Sequence, residues 1–136
     1  MSTIITYYSY KGGVGRSMSL ANTAVFLSKW GYKVLIIDWD IEAPGLEHFF
    51  KPYINTKIVK EKNGVIDLIS KDNKNNWQDT LIAITIPDIE TPIHLISSGK
   101  RDENYFKKVR DFDIDAFYKL GGGDFVEKLR DDWKRE

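Results

Sequence analysis

The chain has 136 residues with 20 basic and 20 acidic side chains, and its zero net charge excludes an affinity of the whole protein for nucleic acid or anionic membranes. It contains no cysteine, which excludes disulfides, thiolate metal sites and a cysteine nucleophile. The first residues lack the pattern of a signal peptide and no apolar run approaches about 18 residues, so we expect a soluble, cytoplasmic protein.

The first 40 residues are predicted to form a strand, a glycine-rich loop, a helix and a second strand. Residues 3–8 are β-branched or aromatic, which favours a buried strand. Apolar residues then recur at helical spacing from Ser17 onward, and Gly31 would end that helix in a left-handed cap. The continuous apolar run at residues 34–37 is typical of a strand buried on both faces of a parallel sheet. Together these elements predict a βαβ unit.

Three short segments follow the second strand. Residues 46–50 are predicted to form a short helix, and residues 65–70 are an apolar stretch that suits either a short helix or a strand. A turn at Asn63-Gly64 separates the two. Residues 71–76 are all polar and are predicted to form a loop.

The second half of the chain is predicted to contain two strands and then helices. Residues 81–86 and 93–97 have strand-like composition, and Pro87 and Pro92 bracket the link between them. This arrangement predicts an antiparallel pair whose loop is too long for a tight hairpin. The tail shows helical spacing of its apolar residues on both sides of Gly121–Gly123, which we expect to be a flexible linker between helices.

The most informative stretch is the loop before the first helix, Ser-Tyr-Lys-Gly-Gly-Val-Gly-Arg-Ser at residues 9–17. A loop between a strand and a helix brings backbone N–H groups and a helix N-terminus together, which is how proteins bind a phosphate group. Against the pattern G-x-x-x-x-G-K-[ST], Gly15 and Ser17 match, whereas Tyr10 replaces the first glycine and Arg16 replaces the lysine. Without its surroundings, the stretch also fits a glycine-rich turn that binds no ligand.

Two acidic residues follow the second predicted strand, in the sequence Asp38-Trp39-Asp40. Because ligands bind at the carboxyl ends of parallel strands, both carboxylates are expected to face the phosphate loop. Two carboxylates beside a phosphate-bound Mg²⁺ can hold metal-bound water or orient an attacking water. The alternative is a solvated loop in which the two aspartates bind nothing.

Residues 11–17, Lys-Gly-Gly-Val-Gly-Arg-Ser, together with residues 34–40 resemble the deviant Walker A ATPases of the ParA/MinD superfamily. The family pattern is K-G-G-x-G-K-[ST] with a D-x-D segment after the next strand, and Lys11 occupies the position of the signature lysine. The run Asp-Trp-Asp-Ile-Glu-Ala-Pro-Gly-Leu resembles more closely a bacterial subgroup that carries arginine in the P-loop. The resemblance is strong over residues 2–50 and rests on general layout from 51 to 136.

The resemblance implies an α/β fold, namely the three-layer P-loop NTPase fold with a mostly parallel sheet. It also implies that residues 1–136 are the N-terminal part of one such domain, with the Walker A motif at residues 10–17 and the D-x-D switch at residues 38–40. The Walker B strand and the adenine pocket of the family have no counterpart after residue 40. A sheet edge would then be unpaired, and we expect the chain to self-associate.

For function, the resemblance implies that the chain binds ATP with Mg²⁺, hydrolyses it and acts as a nucleotide-controlled dimerisation switch. The nucleotide-binding residues would be Lys11, Gly12, Gly13, Val14, Gly15, Arg16, Ser17 and Met18. In a homodimer, Lys11 would reach the phosphates of the partner subunit much as an arginine finger does. Ser17 and Asp38 would hold the Mg²⁺ shell and Asp40 would position the attacking water, which makes Lys11 and Asp40 the catalytic residues.

Two other functions remain open at this stage. Arg16 keeps the charge of the usual lysine but presents a planar fork, so the chain could be a nucleotide-sensing module that binds a partner and hydrolyses little. An NAD-binding Rossmann domain is the other alternative, although its fingerprint requires glycine or alanine where Met18 stands. The partner protein is unknown. Basic clusters at residues 100–110 are interleaved with acidic residues, which predicts a solvated helix face and no direct nucleic-acid or membrane determinant.

Overall fold

The computed structural model describes residues 2–70 and 76–135, which form six α-helices, two 3₁₀ helices and three strands in those ranges. In chain order these are α1 (Arg16–Lys29), β1 (Val34–Ile37), a first 3₁₀ helix (Leu46–Tyr53), α2 (Thr56–Glu61), α3 (Val65–Ile69), a second 3₁₀ helix (Trp77–Thr80), β2 (Ile82–Ile84), β3 (Ile93–Ile96), α4 (Tyr105–Asp111), α5 (Ile114–Lys119) and α6 (Gly122–Arg135). The polar loop predicted at residues 71–76 lies outside the described residues except for its last member.

The three strands form one small mixed sheet in the order β1-β3-β2. Strands β1 and β3 are parallel, with Val34 opposite Ile93 and Ile37 opposite Ile96. Strands β2 and β3 are antiparallel, which confirms the predicted pairing of these two segments. The α/β class is confirmed, while the described sheet contains one parallel and one antiparallel pair where a mostly parallel sheet was expected.

The strand predicted at residues 3–8 is wrong. Residues 2–9 form no strand, and the exposed fractions of Ile4 and Ile5 are 42% and 56%. The segment is instead attached through side chains, because the Tyr7 hydroxyl donates to Thr23 Oγ1 on α1 at 2.7 Å. Strand propensity describes a residue that suits a half-buried sheet surface, and it forms a strand only where a neighbouring strand offers hydrogen bonds. The parallel connection in the described residues therefore runs from β1 to β3.

The sheet has a separate hydrophobic core on each face. Successive residues of β1 alternate between them, as the period of two in a strand requires: Val34 and Ile36 pack in the first core, and Leu35 and Ile37 in the second. Helices α1 and α2 and the first 3₁₀ helix cover the first core. The second core is covered by α3, the second 3₁₀ helix and the three tail helices. The sheet therefore has helices on both faces, which is the three-layer arrangement that the resemblance implied.

The tail is helical as expected, but its glycines act differently from the predicted linker. Gly121 has a φ of 88° and separates α5 from α6, whereas Gly122 and Gly123 begin α6. A side chain at Gly122 would collide with the ring of Phe117. Gly122 therefore permits a close approach between α5 and α6, which a linker would not require. None of the described helices is long and apolar enough to span a membrane.

Helix α3 begins against the end of β3, and this contact predicts a stability effect at Gly64. The backbone N–H of Val65 donates to the Ser97 carbonyl at 2.9 Å, and a Cβ at Gly64 would collide with that same carbonyl oxygen. We expect Gly64→Ala to lower the free energy of unfolding by about 3 kcal/mol, because the atom in the way belongs to the backbone. Chemical denaturation measures this. Gly12→Ala is the matched control, since a Cβ there meets nothing within 4 Å; equal losses in both variants would contradict the prediction.

Candidate functional site

The glycine loop leads directly into the N-terminus of α1. Gly13 and Gly15 have φ values of 73° and 78°, a left-handed conformation that glycine adopts without steric cost. Gly15 caps the helix, and its carbonyl accepts the N–H of Ser19 at 2.9 Å. No side chain caps the helix and its first turn holds no acidic residue. The first N–H groups of α1 therefore have neither an intrahelical acceptor nor a side-chain cap, which is the arrangement that binds an anion.

A cavity of about 330 Å³ lies between this loop and the segment that follows β1. Every residue predicted for the site lines it: Lys11, Gly12, Gly13, Val14, Gly15, Arg16, Ser17, Met18, Asp38 and Asp40. The cavity also has lining residues that the sequence did not single out, namely Ser9, Ala43, Gly45, Leu46 and Phe49. Gly45 and Leu46 reach the cavity because the chain folds back onto the end of β1, where both N–H groups donate to Asp38, and nothing in the local sequence indicated this fold.

Arg16 crosses the cavity to Asp40. Its Nη2 donates to Asp40 Oδ2 at 3.0 Å, and its Nη1 donates to Ser9 Oγ at 3.3 Å. The planar guanidinium thus holds two acceptors at once, which an ammonium group would do less specifically. About a third of each of these two charged side chains is exposed, so the ion pair is screened and contributes roughly 1 kcal/mol or less. A phosphate group could therefore replace Asp40 as the partner of Arg16 at little cost.

Asp38 is the buried carboxylate of the site. Its Oδ2 accepts the N–H groups of Gly45 and Leu46 at 3.1 and 3.2 Å, and its Oδ1 accepts the N–H of Asp40 at 3.2 Å. Burial raises the pKa of this carboxyl above its usual value, the three backbone hydrogen bonds lower it in part, and the nearby charge of Glu47 adds to the increase. Asp38 therefore lines the cavity and at the same time folds the segment 40–46 back over the end of β1.

The residues present fit a phosphate chain. Cβ atoms at Gly12 and Gly13 would meet nothing within 4 Å, so the loop leaves open space for a ligand, and Lys11 and Arg16 supply positive charge. For a divalent cation, the described residues contain no group of three or more His, Cys, Asp or Glu that could hold it alone. The cavity offers the hydroxyl of Ser17 and the carboxylates of Asp38 and Asp40. This partial set of oxygen ligands suits Mg²⁺, which takes its other ligands from phosphate and water.

Two basic residues outside the cavity, within the predicted solvated face of residues 100–110, form ion pairs with acidic residues that lie far away in the chain. Arg101 Nη2 lies 3.0 Å from Glu47 Oε1, and the side chains are 22% and 11% exposed. Lys108 Nζ lies 2.8 Å from Oδ1 of the buried Asp67. The prediction is wrong for Arg101, whereas the side chain of Lys108 is 40% exposed as predicted and forms an ion pair in addition. The two acidic partners lie 54 and 41 positions away, and charge spacing along the chain gives no sign of them.

Comparison with known proteins agrees with the geometry of the loop. A ParA family model, described as NUBPL iron-transfer P-loop NTPase, matches residues 1–85. The chain is 32% identical over 126 residues to an ATP-binding protein of Methanocaldococcus jannaschii, an alignment that covers 90% of this chain and 41% of that protein. It is 31% identical over 108 residues to the septum site-determining protein MinD of Helicobacter pylori, covering 79% and 37% of the two chains.

A third relative is the iron-sulfur cluster carrier protein of Aquifex aeolicus, which is 49% identical over 90 residues, or 66% of this chain and 24% of that one. The chain thus spans about two fifths or less of the length of these relatives. No solved structure matches it significantly.

The raised pKa of Asp38 predicts a pH dependence of stability. An unfolded aspartate loses its proton near pH 3.9, as a rough value, and the folded one loses it at higher pH, so the folded state holds the extra proton between the two values. The Asp38 contribution to stability is therefore greatest below this window and falls as pH rises through the raised pKa. Unfolding free energies from about pH 4 to about pH 7 should show the wild type losing stability relative to Asp38→Asn. A pH-independent difference would contradict the assignment.

Proposed function

Because this chain belongs to the ParA family of P-loop NTPases, we propose that it binds ATP with Mg²⁺ and hydrolyses it as a nucleotide-controlled dimerisation switch. The observation that carries the proposal is the glycine loop at the start of α1, which faces Asp38 and Asp40 across one cavity. Since the chain spans about two fifths or less of its relatives, we further propose that residues 1–136 are the N-terminal part of the NTPase domain.

Phosphate binding would use the backbone first. The N–H groups of residues 12–18 and the positive end of α1 attract an anion without any charged side chain. Arg16 would add a charge-assisted hydrogen bond once it exchanges Asp40 for a phosphate oxygen, and that exchange replaces one partly exposed ionic contact by another. Binding of ATP would therefore separate Arg16 from Asp40 and leave the Asp40 carboxylate available.

Hydrolysis would use the residues around the released carboxylate. Mg²⁺, when bound, neutralises charge on the phosphates, and the Ser17 hydroxyl and Asp38 would hold it with phosphate and water oxygens. Asp40 would accept a hydrogen bond from the attacking water and orient it towards the terminal phosphorus. Lys11 lies on the exposed part of the loop, from which it would reach the phosphates of a partner subunit and stabilise charge in the transition state.

The nucleotide-sensing alternative differs in one step. If Asp40 stayed paired with Arg16 in the nucleotide complex, the chain would bind ATP and change its association state while hydrolysing little. Dinucleotide binding by a Rossmann domain has less support, because Lys11 and Arg16 line the cavity where a pyrophosphate would need only backbone N–H groups. One relative is an iron-sulfur cluster carrier protein. None of the 136 residues of this chain is a cysteine, so they supply no thiolate that could hold a cluster.

The role of Arg16 predicts a specific pattern of nucleotide binding. A fluorescent ATP analogue with Mg²⁺ should bind the wild type, and Arg16→Ala should weaken binding roughly 10–100-fold through the loss of a charge-assisted hydrogen bond. Arg16→Lys should bind the analogue nearly normally. If its ATP turnover exceeds that of the wild type, arginine at this position slows hydrolysis; if turnover is unchanged, arginine does not affect it.

The matched control is Arg110→Ala, which removes a largely exposed arginine on α4 and should leave binding unchanged. NADH should not compete with the analogue. Binding that survives Arg16→Ala unchanged would exclude the proposed phosphate contact, and stronger binding of NADH than of ATP would favour the Rossmann alternative.

The dimerisation switch predicts that association depends on nucleotide and on Lys11. Light scattering should detect a dimer with a non-hydrolysable ATP analogue and not with ADP, and Lys11→Ala should abolish it. Lys29→Ala, at the other end of α1, is the control and should dimerise normally. A dimer that forms without nucleotide and in the Lys11→Ala variant would instead indicate strand pairing at the edge of the sheet. A monomer under every condition would exclude both forms of association.

A further inference from the structure

The segment Asp38–Glu47, which we call the switch segment, is held from outside the cavity by two residues that follow β3. The hydroxyl of Tyr105 donates to the carbonyl of Ile41 at 2.8 Å. Arg101 Nη2 donates to Glu47 Oε1 at 3.0 Å. The first contact lies next to Asp40 in the chain, and the second lies beyond the turn that binds Asp38. The switch segment is thus attached at its middle and at its end.

Arg101 and Tyr105 act as one unit. The guanidinium of Arg101 lies 5.2 Å from the centre of the Tyr105 ring, a cation–π contact. Arg101 Nη2 also donates to Ser98 Oγ at 3.2 Å, and its backbone N–H donates to the carbonyl of Lys60 at 2.9 Å. Tyr105 is 1% exposed. Burial raises the pKa of its phenol, so the hydroxyl stays protonated and remains a donor at neutral pH.

Arg101 supplies the positive charge that balances the buried carboxylate of Glu47. Glu47 is buried, and its charge acts on Asp38, which is also buried. Arg101 is the basic residue that the structure records against Glu47. Without it, two buried carboxylates would lie near each other in the same segment with no cation recorded against Glu47, and the end of the segment would tend to move towards solvent.

Arg101 and Glu47 form one of the two parallel hydrogen bonds that an arginine–carboxylate pair can form. Glu47 Oε2 and Arg101 Nε are both buried, and neither has a hydrogen-bond partner among the described residues. The pair therefore has an unused donor and an unused acceptor, which could form a second hydrogen bond if the switch segment shifts.

We propose that Arg101 and Tyr105 are positioning residues for the nucleotide reaction, because they hold the switch segment so that Asp38 and Asp40 face the phosphate loop. Neither residue lines the cavity, so both act through the segment they hold. The role as positioning residues rests on the proposed function, whereas the attachment itself can be tested without nucleotide. When ATP separates Asp40 from Arg16, the Tyr105 contact at Ile41 limits how far Asp40 moves.

The attachment is tested by hydrogen exchange of the chain without nucleotide. Arg101→Met keeps the length of the stem and removes the charge, and Tyr105→Phe removes only the hydroxyl. Both variants should make the amides of residues 40–46 exchange roughly tenfold faster while the amides of α1 and β3 keep their rates. Arg101→Lys should restore part of the protection. Lys100→Met is the matched control, since its exposed ammonium contacts Asp102 and should change nothing.

The positioning role is tested by fluorescent ATP binding and ATP turnover in the same variants. The dissociation constant should change less than about threefold, because the loop binds the phosphates, while turnover falls roughly tenfold or more. Faster exchange spread evenly over the whole chain would overturn the proposal, since that result indicates general destabilisation, and so would unchanged exchange at residues 40–46. A wild type that binds no ATP would refute the proposed function and with it the positioning role, while the exchange data would still decide whether the attachment exists.

Discussion

The carboxylate of Asp38 organises the site, because a buried charge must receive hydrogen bonds from the groups around it. Asp38 stands at the end of β1, where its own N–H donates to the carbonyl of Ile96 in β3. The donors to its side chain come from Asp40 and from the turn at Gly45 and Leu46. Satisfying this one carboxylate therefore bends the chain back over the strand end and starts the first 3₁₀ helix. The wall of the cavity opposite the phosphate loop is a consequence of that bend.

The parallel pairing of β1 and β3 decides which other residues come close to this turn. The carboxyl ends of the two strands lie at the same edge of the sheet, so the segments that leave them meet. On one side the backbone carbonyls of Ser97 and Ser98 accept hydrogen bonds from the first N–H groups of α3. On the other side Arg101 and Tyr105 reach the switch segment. The candidate nucleotide site and the residues that hold its wall thus share one edge of the sheet.

Arginine at position 16 gives this loop a property that the usual lysine would supply less well. A planar fork can hold two acceptors in fixed directions, and here it joins Asp40 to Ser9 across the cavity. The contact is partly exposed and weak, so it links the loop and the switch segment without opposing a phosphate ligand. In the proposed cycle, the guanidinium would change partner while the backbone of the loop stays in place.

Helices satisfy their own hydrogen bonds, so the helix after the glycine loop and the tail helices could be predicted from the sequence alone. The glycine loop could also be located from its sequence, whereas the left-handed conformation of Gly13 and Gly15 came from the structure. Long apolar runs also identified β1 and the β2–β3 pair, because each run is buried by the sheet. The resemblance to a known family implied the site residues from Lys11 to Met18, and the place of Asp38 and Asp40 after β1 predicted that they face the loop. All of them line one cavity. The roles of these residues in binding and catalysis stay predictions.

What only the tertiary structure decided are the contacts between residues distant in the chain. Residues 3–8 have the composition of a strand, yet a strand exists only beside another strand, and the described sheet offers them none. Gly122 lies at the start of a helix, where the ring of Phe117 leaves no room for a side chain. Arg101 resembles any surface arginine until Glu47, 54 residues earlier, is brought against it. Local sequence determines which backbone conformations are favourable, whereas burial and pairing depend on which segments the completed fold brings together.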